Sequence, residues 1–451
     1  MTPPPAPFQF LQTFRQKLLR IFPLRADALF ELVDALLLMV DPRSPVELSA
    51  SPAFRRRFGM VYDALRQGQV DPAAARELLA EAEPPDAITV ADYAVYAADS
   101  TVHPRPDADT LPDRGQVYSA RQGGTLPGHQ YSWLGRVVAA GRSWFAPRDV
   151  ERIATYTTPA AVTAEQVKRL AVTLAVGALA VVVADSGYAN AVFLAAFVGL
   201  TGVCGLVRVA NNRVLYGPPP PVEINPATGK RLKKGRPRVH GAKFRLAAPP
   251  SPERQATFSL GKASVRVNAW GHLHFKALPA LVGMLLRVEF LKADGQPLYK
   301  RPLWLFWSGP NSVGLAAVVQ MYLLRFGIEH FFRFAKQRLG LTCAQSPTLT
   351  ACENWVWTVA FAYIQLLLAR SLVIPQARDW DPKARRDPAR PLTPGQVKQA
   401  WAIFSRGLGT PAAAPRPGGK APGRAPGFRP QPRPKCPVVS KKAQPASLAV
   451  A

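Results

Sequence analysis

Apolar positions recur at helical spacing through residues 8–40 and 54–83. The run Phe30-Glu31-Leu32-Val33-Asp34-Ala35-Leu36-Leu37 carries one such stripe, and Asp71-Pro72 places proline in the first turn of a further helix. This helical texture ends near the Pro84-Pro85 pair. Strand-like runs follow: Tyr93-Ala94-Val95-Tyr96-Ala97-Ala98, ending at Asp99, then residues 131–139, 144–153, 179–183 and 203–209. Helical spacing returns over residues 163–176, between the third and fourth of these strands, and over 189–200 before the last. Three strands, a helix, a strand, a helix and a strand predict a mixed sheet in an α/β layer.

Residues 186–207 run without a charge for a length that could cross a bilayer. Asp185 interrupts the apolar block, and glycine and β-branched residues are frequent in it. A buried strand covered by a buried helix accounts for the same pattern, and no membrane association is expected.

Residues 216–245 change character. Gly217 and four prolines precede a basic arm holding Lys230, Arg231, Lys233, Lys234, Arg236, Arg238, Lys243 and Arg245. Residues 256–307 have β texture, with Asp294-Gly295 marking a hairpin before Leu303-Trp304-Leu305-Phe306-Trp307. Helices are predicted over residues 312–339 and 349–372. From about Gly407 onward, proline and glycine mixed with Lys and Arg predict a disordered basic tail.

Charge sharpens this picture. Lys and Arg number 57 against 29 Asp and Glu, a formal net charge of +28 in 451 residues. Residues 1–100 hold 10 basic and 13 acidic side chains, whereas residues 201–300 hold 17 against 4. So one-sided a distribution predicts a polyanion-binding surface built by the second half. The hydrophobic share of 48% excludes a wholly disordered chain. Four scattered cysteines form no CxxC pair, so neither a disulfide framework nor a zinc site is expected. That usage fits a reducing cytosol, and the residues after Met1 lack the basic and apolar regions of a signal peptide.

The stretch 321–336 is the most informative. At about 100° per residue, Tyr322, Arg325, Glu329, Arg333 and Lys336 share one helix face within roughly 80°. The other faces are mostly Leu, Ile, Phe and Ala, so a carboxylate among three cations and a phenol would lie on an otherwise buried helix. That arrangement is costly unless something binds there. A divalent metal on Glu329, with phosphates on Arg325, Arg333 and Lys336, uses the row. Further carboxylates are needed, and Asp99 and Asp185 each end an apolar strand run. Three carboxylates can hold two Mg²⁺ about 3.5–4 Å apart for in-line displacement at phosphorus.

The spacing Tyr322-(2)-Arg325-(3)-Glu329-(6)-Lys336 resembles the Y-R-E-K signature of bacterial insertion-sequence transposases of the DDE class. Asp99-Ser100-Thr101 and Asp185-Ser186-Gly187-Tyr188 resemble the two Asp motifs of that family, with Asp92, Asp107, Asp109 and Asp113 close to the first. The β-rich block before Glu329 resembles its insertion domain. The resemblance implies a ribonuclease H-like core, two Mg²⁺ or Mn²⁺ held by Asp99, Asp185 and Glu329, and cut-and-paste mobilisation of an element. It also implies DNA partners, both terminal inverted repeats and target duplex, and a homodimer on DNA in a bacterial cytoplasm.

The division expected is a helical DNA-binding domain over 1–88, core segments over 89–215 and 311–375, a basic linker and β-rich insertion over 216–310, and a basic Pro/Gly-rich tail over 376–451. Lys230, Arg231, Lys233 and Lys234 are candidate DNA contacts, and Trp270, with Trp304 and Trp307, is a candidate to stack on a base. His272 and His274 alternate on one strand face without a visible third ligand. Gly128-His129-Gln130-Tyr131 leads into the second strand. A non-mobile ribonuclease H-like nuclease or resolvase, and a non-catalytic basic DNA-binding protein, are the alternative readings.

Overall fold

The computed structural model describes residues 6–119, 123–139, 144–222, 226–228, 236–261, 263–374, 392–416, 423, 425–429 and 431–440. Lys230, Arg231, Lys233 and Lys234 lie outside the described residues.

Helices α1 (Ala6–Arg20), α2 (Ala26–Leu38), α3 (Gly59–Gln67) and α4 (Pro72–Glu81) open the chain. The Asp-Pro pair starts α4 as predicted. Asp71 accepts hydrogen bonds from the N–H groups of Ala73 and Ala74 at 2.9 and 3.2 Å, and Pro72 occupies a position that needs no donor. Strands β1 (Thr89–Val90), β2 (Tyr93–Pro104), β3 (Gly115–Ser119), β4 (Gly124–Val137) and β5 (Phe145–Ile153) follow. Strand β2 does not stop at Asp99. Thr101 and His103, each 3% exposed, continue the buried face with polar side chains, which hydropathy does not register.

Next come α5 (Pro159–Thr173), β6 (Leu179–Ala184), α6 (Ala191–Leu194) and β7 (Val203–Arg208). The helix predicted over 189–200 shrinks to α6 and one 3₁₀ turn. Gly199 and Gly202, at φ 75° and 78°, carry the chain through left-handed conformations into β7. Residues 186–207 are therefore turns, a short helix and a buried strand. Strands β8 (Val214–Tyr216), β9 (Lys243–Arg245), β10 (Arg254–Leu260), β11 (Ala263–Phe275), β12 (Leu278–Leu291) and β13 (Leu303–Trp307) precede α7 (Leu315–Leu323), α8 (Phe326–Arg338), α9 (Leu349–Ala369) and α10 (Pro394–Phe404).

The chain divides into two compact units, one of Met1–Ala87, Ser100–Thr158 and Gly327–Ala451, the other of Ile88–Asp99 and Pro159–Phe326. In the first unit, α1, α2 and α3 pack on α9, which is buried along nearly its whole length. Arg15 is buried there but fully engaged: it meets Asp34 at 2.6 Å and donates to Gln365 Oε1 and to the carbonyl of Gly409. Such pairing is what makes a buried cation tolerable. Strands β3 and β5 both pair antiparallel with β4. The face of β4 and β5 buries Trp133 and Phe145 against Phe331 of α8, with ring centroids 5.0 and 5.2 Å apart.

The expectation of disorder from Gly407 onward does not hold for the described stretches of the tail that follow α10, while its residues 417–422, 424, 430 and 441–451 lie outside the described residues. Helix α10 has a complete capping box, Thr393 with Gln396, and buries Trp401. Beyond it, Arg55 donates to the carbonyl of Ala412, and the N–H of Ala413 donates to Asp27. Further along, Val439 forms a parallel bridge with Gly115 of β3, and Arg114 donates to the carbonyl of Cys436. Backbone groups make most of these contacts, so composition gives no sign of them.

In the second unit, β2, β6 and β7 are parallel neighbours, β13 runs antiparallel to β7, and β12, β11 and β10 extend the antiparallel part. Strand β8 pairs with β11 and β9 with β8. This large mixed sheet with α5 before β6 fits a ribonuclease H-like DDE fold. The Asp294 carboxylate accepts from the N–H of Gln296 and Gly295 adopts φ 79°, forming the turn expected after β12.

Candidate active site

Parallel pairing of β2 and β6 sets two carboxylates in step. Tyr93 is level with Leu179 and Ala97 with Val183, where the pairing ends; continued by two residues, that register places Asp99 level with Asp185, just past the end of β6. Asp185 stands where β6 ends, and its carboxylate accepts from the N–H of Gly187 at 2.8 Å to cap a 3₁₀ turn. A Cβ at residue 187 would lie 3.1 Å from that oxygen, so glycine suits the turn.

Arg325 follows α7 in the same unit, and its Nη1 lies 3.3 Å from Asp99 Oδ2. Tyr322, one helical turn earlier, is 6% exposed. Burial pushes its phenol pKa up, and the Arg325 and Arg208 guanidiniums oppose that rise, Arg325 also donating a hydrogen bond to the phenol oxygen. Asp185 is a further electrostatic neighbour of this phenol. Asp99, Asp185, Tyr322, Arg325 and Arg208 thus share one cluster in the second unit, with charges that cancel. Arg208 was not singled out from the sequence. It closes the apolar run of β7 in the way Asp185 closes that of β6, and this signal could have found it.

The single helix predicted over 312–339 is broken at Leu324 and Arg325, where the N–H of Arg325 turns to the carbonyl of Tyr322. The five-residue face therefore divides. Glu329, Arg333 and Lys336 lie on α8 in the first unit, at i, i+4 and i+7. Glu329 is half-buried in the first turn, whereas Arg333 and Lys336 are exposed. Lys336 Nζ lies 5.7 Å from the Phe332 ring centroid, and its charge adds to burial and to Arg105 in holding the His103 pKa well below its ordinary value.

Acids near Asp99 have other engagements. Asp113 is held by Arg152 and by the N–H of Thr155, and these contacts bring its pKa down against the upward push of burial. Asp109 pairs with Arg114 and Lys435 at 3.5 Å each. Asp92 takes a left-handed φ of 66° in the turn between β1 and β2, and Asp107 is exposed in a turn. Among the described residues no three His, Cys, Asp or Glu side chains are grouped to hold a metal. The donor chemistry of Asp99, Asp185 and Glu329 is nonetheless all carboxylate oxygen, which suits a hard divalent cation.

The insertion tryptophans are not available for stacking on a base. Trp270 is 3% exposed, donates from its indole N–H to the carbonyls of Pro250 and Ser251, and packs against Phe244 and Trp304. Trp304 and Trp307 are buried too. The aromatic run is core because β11, β12 and β13 need a filled face. His272 and His274 do not share a face either. A register shift between Trp270 and Leu273 gives His272 φ 53° and leaves it exposed, while His274 is buried. The partner of His274 is His240, with Nδ1 of His240 and Nε2 of His274 3.0 Å apart. In Gly128-His129-Gln130-Tyr131 the contacts are internal: His129 Nε2 meets the carbonyl of Pro112 at 3.0 Å, and Gln130 donates to Ser100 Oγ at 2.7 Å.

No curated protein matches the chain. The family model of the DDE superfamily endonuclease matches residues 17–274, a span that holds Asp99 and Asp185 and stops short of Tyr322 to Lys336. With more than half of its length matched and both strand-borne aspartates inside the match, the chain belongs to the DDE superfamily endonuclease family.

Proposed function

We propose that this DDE endonuclease is a transposase that cuts DNA at the ends of its own element and joins the freed 3′-OH to target DNA. The observation that carries the reading is the register that sets Asp99 level with Asp185 on adjacent parallel strands, with Arg325 on Asp99. Asp99 and Asp185, with Glu329 as the third carboxylate, would hold the divalent ions that such endonucleases use. When bound, Mg²⁺ or Mn²⁺ supplies Lewis-acid stabilisation of the attacking and leaving oxygens. The chain's own part is positional. Arg325 presents a planar fork suited to a phosphate, and Tyr322 is oriented by its hydrogen bond to that fork. Arg333 and Lys336, exposed on α8, are assigned to the DNA backbone, and so are the cations at 230–234, where contacts add affinity without sequence information. The N-terminal helices are assigned the reading of the element ends.

Support for transposition over simple hydrolysis comes from the Tyr322, Arg325, Glu329 and Lys336 spacing. The test uses the full chain with Mg²⁺ or Mn²⁺ and a duplex carrying the DNA that flanks its own gene, plus a supercoiled target. Cleaved ends together with end–target joints are the expected products. Cleavage without joints leaves a nuclease or resolvase, and the absence of metal-dependent cleavage removes the catalytic reading.

A further inference from the structure

Strand β7 lies on the far side of β6 from β2, and the three strands are parallel. The pairing of β6 with β7 runs to Ala184 and Val207; continued by one residue, that register places Arg208 level with Asp185. Asp99, Asp185 and Arg208 therefore form a row across three neighbouring strands, which lie about 4.8 Å apart. The backbone at Arg208 is fixed. Val207 and Val209 on either side of it are buried, and Arg208 itself pairs with Leu305 of β13. Its side chain is exposed, and it makes no ion pair or side-chain hydrogen bond among the described residues.

The two arginines of the cluster differ in their engagements. Arg325 is tied to Asp99 at 3.3 Å and to the Tyr322 phenol, so it is held beside the first carboxylate. Arg208 reaches that phenol through its charge, and it lies one strand beyond Asp185, on the side away from Asp99. A phosphate held over Asp99 and Asp185 would meet Arg325. Arg208 is displaced from that point by a strand spacing, towards a neighbouring phosphate of the same DNA strand. A guanidinium holds a phosphate through two parallel N–H bonds, so it fixes position as well as adding affinity. With the neighbouring phosphate pinned, the DNA strand could not slip by a nucleotide across the carboxylates.

We propose that Arg208 grips the phosphate next to the scissile one and so fixes which bond is cut. The inference rests on the reading of the site as a DNA-cutting centre, and its test separates the two. Binding of the full chain is measured in EDTA on duplexes carrying the DNA that flanks its own gene, with single phosphates replaced in turn by neutral methylphosphonates. For the wild type, neutralising the phosphate next to the cut should lower affinity about tenfold, the loss of one charge-assisted contact. Arg208→Ala should bind about tenfold more weakly and lose that one sensitivity, with the other positions of the map and the melting temperature unchanged. Its salt slope should be smaller by about 0.9. Arg208→Lys should restore the salt slope. With Mg²⁺, the wild type should cut at one bond, whereas both variants should cut at adjacent bonds as well, because an ammonium lacks the planar fork. In a wild type that cuts, three results overturn the inference alone: a map unchanged by Arg208→Ala, sensitivity lost at a phosphate remote from the cut, or one unshifted cut in both variants. A wild type that binds and never cuts overturns the catalytic reading and this inference with it.

Discussion

Arg325 Nη1 lies 3.3 Å from Asp99 Oδ2, so the first carboxylate of the site carries its own guanidinium partner, 226 residues away in sequence. That pairing, and the level placement of Asp99 and Asp185, makes the first prediction. Asp99→Ala, Asp185→Ala and Glu329→Ala should each lower cleavage by at least ~10³-fold, on the order of 4 kcal/mol of barrier, since metal-ion catalysis would be lost. DNA binding, measured by mobility shift, should change little. Cleavage surviving Asp99→Ala would move the first ligand to Asp92, Asp107, Asp109 or Asp113.

Arg325 has two partners in the site, Asp99 and the phenol of Tyr322. Arg325→Ala should therefore cost rate more than affinity, and Arg325→Lys should recover only part, because an ammonium lacks the planar fork. Single-turnover cleavage against equilibrium binding separates the two. A chain that loses both together, with a collapsed melting curve, would assign Arg325 to structure alone.

Trp270 supplies a test of the corrected aromatic assignment. Its ring is enclosed by Phe244 and Trp304 and its N–H is bonded to Pro250 and Ser251, so Trp270→Ala should cost about 3–5 kcal/mol of stability. A thermal melt measures it. An unchanged melting temperature with weakened DNA binding would return this tryptophan to the DNA.

Two buried histidines set a pH dependence. Burial brings His129 down to about 4, and burial together with Arg105 and Lys336 holds His103 well below its ordinary value. Both are neutral in the folded chain and would bind a proton on unfolding near pH 6, so the unfolded state binds more protons there. Stability therefore falls as pH drops from about 6.5 towards 4, by at most about 1.4 kcal/mol per pH unit per histidine. Urea unfolding at pH 7 and pH 5 measures the loss, and His129→Gln should reduce the difference.

Much of the fold was legible where one physical signal dominated. Asp71-Pro72 marked a helix start because cap and proline act locally, and Asp294-Gly295 marked a turn for the same reason. The continuation of β2 past Asp99 was not legible, because buried Thr101 and His103 look solvent-facing to hydropathy. Nor was the break at Leu324 and Arg325, since an unbroken apolar period runs through it. Tyr322 and Arg325 were singled out by helical spacing, and Asp99 and Asp185 by their places at the ends of apolar runs; that Arg325 pairs with Asp99 follows from the fold and not from either pattern. Arg208 was not singled out, because its place depends on a sheet neighbour, β13, that follows about a hundred residues later.

The tail makes the last prediction. Residues 410–451 carry eight cations and no acid, yet Ala412 and Ala413 are tied to Arg55 and Asp27, and Cys436 and Val439 to the segment 109–115. Two truncations separate the roles this implies. Removing residues 441–451 deletes Lys441 and Lys442 but keeps the tied positions 412, 413, 436 and 439, and should leave the melting temperature unchanged. It should also flatten the salt dependence of DNA binding by up to about 0.9 for each lysine that neutralises a phosphate. Removing residues from Thr410 onward takes away the anchors as well, so it should lower the melting temperature and flatten the salt dependence further. Preference for the element's ends over random duplex should survive both, because phosphate contacts carry no sequence information. Binding across a salt series, on end and random duplexes, measures slope and preference together. Loss of preference with an unchanged slope would make the tail a reader of sequence and overturn the assignment of that role to the N-terminal helices.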